Sequence, residues 1–173
     1  CINSDGQLSY DFYQGEACLG KVTLGVFGNH NISNSVAAIA SALLNGMSFE
    51  TIIHGLVTFT GTKRRFERKG TCKGAVVLDD YAHHPTEIEA TIQTARSVFD
   101  KRLVLLFQPH TYSRTASLLQ DFAHVLAKAY EILIMDIYAA REINTYGIHS
   151  EDLVRAISVH NPHVKYMSTH DSA

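Results

Sequence analysis

Three apolar runs, each ending in a polar tip and each leading into an amphipathic stretch, constrain this chain more than any other feature. They are residues 75–80 (AVVLDD), 102–107 (RLVLLF) and 131–138 (EILIMDIY). Strands that are apolar in succession, rather than alternately, are buried on both faces, and helices between them serve as crossovers. The stretches PTEIEATIQTARSVF, ASLLQDFAHVLAKA and SEDLVRAISVH fill that role. Pro85 suits a first helical turn, Glu87 favours the helix dipole, and Ser150 reads as a cap. VKYM, residues 164–167, starts a fourth strand. The expectation for residues 75–167 is an α/β arrangement, a mainly parallel sheet with helices on both faces.

Residues 1–60 follow a different pattern. QLSYDFYQ (7–14) and KVTLGVFG (21–28) alternate polar and apolar residues, as half-buried antiparallel strands do. NHNISNSVAAIASALLNG is helical, with Asn and Ser suited to its N-cap and Asn45-Gly46 to its stop. A second short helix, about residues 49–57, follows Ser48. Thr60-Gly61-Thr62 marks a boundary, which divides the chain into residues 1–60 and 61–173.

Composition excludes some function classes. A formal charge of -2 leaves no basic footprint for nucleic acid, and no helix carries a cationic membrane stripe. No apolar run reaches the roughly 18 residues of a membrane span. Cys1, Cys18 and Cys72 are odd in number, widely spaced and without a CxxC. They read as reduced thiols of a cytoplasmic protein, Cys18 and Cys72 as small core or strand residues. An apolar content of 46% over 173 residues is enough for one good core and part of a second.

The tips carry the chemistry. DDYAHHP, QPHTYSRT and YAAREINTYG each follow the carboxyl end of a strand, and in an open parallel sheet those ends share the ligand-binding edge. They bring Asp79, Asp80, His83, His84, His110, Arg114, Arg141 and Glu142, more charge than helix capping requires. Asn29, His30, Asn31 and Asn34 cluster at a strand-to-helix turn, where capping accounts for one of the four. Arg64-Arg65 precede a strand and are placed to project into a cleft between the two halves. GEACLGKV (15–22) fits a phosphate loop only in part. Val22 stands where Ser or Thr would hold magnesium, and an alternating strand follows where a helix should. His83 and His84 are neighbours in an extended segment and point opposite ways, which argues against a shared metal ion. Magnesium, held by carboxylates and substrate phosphates, suits this edge better than zinc.

The blocks GNHNISNSVAAIASA, FTGTKRRFE, LDDYAHHPTEIEATI, FQPHTYSRT and IYAAREINTYGI closely resemble the Mur ligases, in the same order, from about residue 20 to residue 157. Within that family the resemblance is to the branch that joins L-alanine to UDP-N-acetylmuramate. The murein-peptide recycling ligase shares the DDYAHHPT-like tip, and a non-catalytic nucleotide- or amino-acid-binding module is a further alternative. The resemblance implies a central ATPase domain ending near residue 60 and a Rossmann-like C-terminal domain beyond it. It implies a fragment, with the family's phosphate loop upstream of residue 1 and closing strands after VKYM, so that this piece alone is expected to be inactive. ATP phosphorylates the sugar-lactyl carboxylate in this family, and the amine of L-alanine attacks the acyl phosphate. By the same resemblance His30, Asn31 and Asn34 belong with the adenine, Arg65 with the ATP phosphates and Asp80 with the ribose. Tyr81, His83, His110 and Arg114 belong with the amino acid and the carboxylate, His83 and Arg114 being the catalytic pair. Mg2+ is expected to be held mainly outside these residues. Many relatives have arginine where this sequence has Thr111, which places more weight on Arg114.

Overall fold

The structure, a computed structural model, describes residues 7–168. Cys1 therefore lies outside the described residues. The chain forms two compact units, residues 1–81 and 82–173.

In the first unit β1 (Ser9–Gln14) and β2 (Ala17–Thr23) form an antiparallel hairpin with Tyr10 opposite Val22 and a bulge after Phe12. The second strand was expected at 21–28 and instead begins at Ala17, because Gly15 (φ 63°) supplies a turn that pairs Gln14 with Ala17. Helices α1 (His30–Leu44) and α2 (Phe49–Thr58) follow. Asn45 and Gly46 (φ 80°) end α1 as expected, and the Ser48 hydroxyl accepts the Thr51 N–H to cap α2. Leu8, Phe12, Val22, Leu24, Ile39 and Ile52 form the core. Gly25 is required where the chain leaves the hairpin: a Cβ there would lie 2.4 Å from the Phe59 carbonyl oxygen and 2.6 Å from that of Val57.

β3 (Glu67–Cys72) and β4 (Ala75–Asp79) make a second antiparallel hairpin. Its turn residues, Lys73 (φ 48°) and Gly74 (φ 84°), both have the positive φ of a two-residue hairpin turn. This corrects the assignment of residues 75–80 to the parallel sheet. Among the described residues β4 pairs with β3 alone, and Val76 and Val77 are exposed. An apolar run reports a strand that suits burial, and the tight Lys-Gly turn decided its partner. Cys18 and Cys72 lie in β2 and β3 but are exposed, so neither is a core residue.

The second unit contains α3 (Pro85–Val98), β5 (Val104–Phe107), α4 (Tyr112–Ser117), α5 (Leu119–Leu126), β6 (Glu131–Met135), α6 (Ser150–Ser158) and β7 (Val164–Met167). The three strands form a parallel sheet in the order β5-β6-β7, with Val104 opposite Glu131 and Ile132 opposite Val164. Ile88 and Ile92 of α3, Phe122 and Leu126 of α5, and Leu153 and Ile157 of α6 pack with Phe107, Ile132 and Ile134 in one core. The expected single helix over residues 116–129 is two, α4 and α5, broken at Leu118 (φ -115°, ψ 20°). The cap of α6 is His149, with Asp152 closing a capping box, while the Ser150 hydroxyl donates to the Met135 carbonyl (2.7 Å). Helices on both faces were expected of the sheet. Within this unit the residues of β5 on the face away from the core, Val104 and Leu106, are 54% and 60% exposed.

Candidate active site

The loops after β5 and β6 meet at the carboxyl edge of the parallel sheet, as their positions in the sequence anticipate. Pairing continues beyond the named strands: His110 bridges Tyr138, the Thr111 N–H donates to the Tyr138 carbonyl (2.9 Å), and the Tyr138 N–H donates to that of Pro109 (2.8 Å). This register sets the His110 ring 5.5 Å from the Tyr138 ring and 6.1 Å from the ring of His83. Arg114, one turn along α4, lies with Nη1 3.4 Å from His110 Nδ1. The geometry therefore gathers His83, His110, Arg114 and Tyr138 into one group of imidazoles, a guanidinium and a phenol.

Two carboxylates brace the group. Glu142, from the loop after β6, accepts the Ser113 N–H (2.9 Å) and the Ser113 hydroxyl, tying the two loops together. Those bonds, the hydroxyl's first, hold its carboxyl below the usual glutamate range. Glu87 accepts the backbone N–H groups of His83 (2.9 Å) and His84 (3.1 Å), and its Oε2 is 3.7 Å from His83 Nδ1. His84 turns away to cap α3, its Nδ1 accepting the Thr86 N–H (3.3 Å). The two histidines thus separate as an extended pre-proline segment requires, with only His83 facing His110. Within the second unit the positive-φ non-glycine residues lie in the same loops, at Thr111 (φ 69°) and Ala140 (φ 54°). Arg141, beside Ala140, is exposed.

The first unit holds the remaining anticipated residues in a network of its own. The Asp80 Oδ2 accepts the Phe66 N–H (2.7 Å) and the Tyr81 N–H donates to the Arg64 carbonyl (2.7 Å). These bonds hold a turn in which Arg64 (φ 58°) and Phe66 (φ 50°) both lie at positive φ. Arg65, between them, lies over the Tyr81 ring at 5.8 Å. The Phe66 ring contacts Phe27 (6.4 Å), whose carbonyl accepts the Asn31 amide (2.6 Å), and Asn34 donates to Asn31 Oδ1 (3.0 Å). Asn29 occupies the N-cap of α1 without a side-chain bond, and His30 is the first, exposed residue of the helix. Asn31, Asn34, Arg65, Asp80 and Tyr81 are thereby linked, although sequence alone left them in three separate segments. The GEACLGKV segment is the hairpin strand β2, with Lys21 opposite Asp11, so it forms no phosphate loop.

Three contributors were not singled out from sequence. Tyr138 gave no signal beyond its place in a strand-end loop, and Ser113 gave none. Glu87 was read only through the helix dipole, although its spacing of three from the capping residue is the capping-box signature.

A family model described as "Mur ligase, glutamate ligase domain" matches residues 64–173. This chain belongs to the Mur ligase family. It is 54% identical over 133 residues to a UDP-N-acetylmuramate–L-alanine ligase of Agathobacter rectalis, covering 77% of this chain and 29% of that protein. Among solved structures it resembles a UDP-N-acetylmuramate–alanine ligase of Thermotoga maritima (TM-score 0.77, 25% identity, 95% of this chain and 35% of that one). It also resembles a murein peptide ligase of Psychrobacter arcticus (TM-score 0.65, 27% identity, 99% of this chain and 36% of that one). The chain spans about a third of the length of these proteins. No helix among the described residues is long and apolar enough to cross a membrane.

Proposed function

We propose that this chain is part of an ATP-dependent, cytoplasmic amide ligase that joins L-alanine to UDP-N-acetylmuramate for the peptidoglycan precursor. The observation that carries the reading is the His83–His110–Arg114–Tyr138 group at the carboxyl edge of the sheet, in a chain so similar to ligases of that name. Residues 1–60 correspond to the end of the ATP-binding domain and residues 61–173 to the C-terminal ligase domain, a division supported by the family match beginning at residue 64.

The reaction needs cationic groups fixed where negative charge develops, and a group able to take the proton of the incoming ammonium. Arg114 supplies a forked donor suited to a carboxylate, with His110 beside it limiting its rotation. His83, positioned by Glu87 through its own backbone N–H, offers an imidazole to the amine. Tyr81, stacked with Arg65, belongs to the substrate-binding set. ATP fits the first unit's network. Arg65 is presented by a turn that Asp80 braces, and His30, Asn31 and Asn34 stand at the start of α1, where amides and a ring nitrogen suit an adenine edge. Among the described residues no three His, Cys, Asp or Glu side chains group to hold an ion. No step is therefore assigned to Mg2+ through these residues.

The test is a chimera in which this chain replaces the matching segment of the Agathobacter rectalis ligase, assayed for ADP release. Release that depends on both UDP-N-acetylmuramate and L-alanine is expected. Asp80→Ala should raise the Michaelis constant for ATP about ten-fold, the loss of one charge-assisted hydrogen bond. A chimera that turns over with a peptide but not with L-alanine would move the assignment to the murein peptide ligases.

A further inference from the structure

A concave surface lies at the opposite edge of the parallel sheet from the candidate ligase site. Residues 101–103 lead into β5 and residues 128–130 into β6, so the groove they form sits at the amino ends of the strands. His110 and Tyr138 lie beyond the carboxyl ends of the same strands, more than a strand length of about 13 Å away. The groove has a volume of about 490 Å³ and is lined by Arg96, Lys101, Arg102, Lys128, Asp100 and Tyr130, with Leu103 and Ala129. Four cations stand against one carboxylate there; even counting Glu89, which pairs with Lys128, two positive charges remain in excess, in a chain of formal charge -2.

Three of these cations, Arg96, Arg102 and Lys128, are held in place. Arg96 donates to the Lys128 carbonyl, and Lys128 bonds Glu89. Arg102 lies over the Tyr130 ring at 5.0 Å and reaches its hydroxyl at 3.4 Å, and the same ring stacks on His163 at 5.8 Å. The floor is pinned from below: the Asn161 amide donates to the carbonyls of Ala127 (3.0 Å) and Ala129 (2.8 Å), and the Tyr130 N–H to that of Leu103 (2.9 Å). A solvated charged face does not need its arginines fixed by carbonyls and aromatic rings. Fixing them in the free protein removes the ordering cost that a ligand would otherwise meet.

We infer that this groove binds a compact, multiply charged phosphate group, a di- or triphosphate, at a site separate from the ligase site. Forked guanidinium donors match phosphate oxygens, Lys101 and Lys128 add point charge, and the volume lies within the range of small-molecule sites. The apolar lining is small, so recognition rests on charge and hydrogen bonding. The group is either inorganic or carried by a nucleotide.

The experiment is a titration of the full 173-residue chain, labelled with 15N, with inorganic tripolyphosphate and in parallel with ATP. Saturable shifts are expected at the amides of Lys101, Arg102 and Tyr130 with tripolyphosphate. Equal affinity for ATP identifies the phosphates as the whole determinant, and tighter binding of ATP with the same shifts identifies a nucleotide. Lys101→Gln, at an exposed position that leaves the fold intact, should weaken binding several-fold, and the Lys101→Gln/Arg102→Gln pair at least about ten-fold. Arg65→Gln should leave the tripolyphosphate affinity within two-fold, about the change expected of a site it does not touch. Shifts confined to residues 64–66 or 108–115, binding unchanged in the pair, or no saturation in the millimolar range would each overturn the proposal.

Discussion

Thr111 is a β-branched residue held at φ 69° and ψ 145°, a region suited to glycine. Its side chain makes no cap to α4; its hydroxyl makes a long 3.4 Å approach to the Ser113 hydroxyl and a minor hydrogen bond to the Glu142 carboxylate. Strain of this kind costs about 1–3 kcal/mol, against about 0.4–1 kcal/mol of unfolded-chain entropy lost by introducing glycine. Thr111→Gly is therefore expected to stabilise the chain by about 1 kcal/mol in urea unfolding, and a destabilised variant would show that the strain is not there. Glu142 makes a complementary case. Its carboxyl is held down by the Ser113 hydroxyl and N–H, so the clasp is complete above the ordinary glutamate value of 4.5 and is lost as pH falls below it. Exchange of the Ser113 amide should accelerate in that acid range, and Glu142→Gln should flatten the profile.

At the scale of elements, α3 begins where the candidate site begins. His84 caps it through Nδ1, Glu87 closes the box, and Pro85 occupies the first turn. Removing an N-cap side chain costs about 0.5–2 kcal/mol, whereas a partly exposed contact such as that of His83 with Glu87 is worth about 0.5 kcal/mol or less. His84→Ala should therefore lower stability by about 1 kcal/mol with modest loss of ligase activity in the full-length enzyme. His83→Ala should leave stability nearly unchanged and lower activity more. Melting curves and steady-state kinetics on the two variants check this, and the reverse pattern would exchange the roles of the two residues. The capping histidine was legible only as a residue before proline. Its side-chain bond to Thr86 depends on a rotamer that sequence does not state.

At the scale of the molecule, the second unit depends on one continuous core in which Phe122 is wholly buried against Phe107 at 5.5 Å. Phe122→Ala should cost about 3–5 kcal/mol, a large part of the stability of a domain this size. In hydrogen exchange the amides of Ile132 and Leu153 should lose protection, while those of Val22 and Ile39, in the separate core of the first unit, should retain it. A uniform loss across both cores would show that the two units unfold as one.

The succession of apolar runs and amphipathic stretches determined by itself that β5, β6 and β7 would be parallel strands with helical crossovers. Burial on a sheet leaves that imprint directly in composition and period. It also placed QPHTYSRT and YAAREINTYG on one edge, since parallel strands bring equivalent ends together. Tertiary structure alone decided that AVVLD pairs with β3, because an apolar run suits several partners and a two-residue turn selects the nearest. It alone brought Asn31, Phe27, Phe66 and Asp80 into one chain of contacts, and Ser113 onto Glu142, 29 residues away. Those pairings follow from the packing of distant segments, which leaves no local period in the sequence.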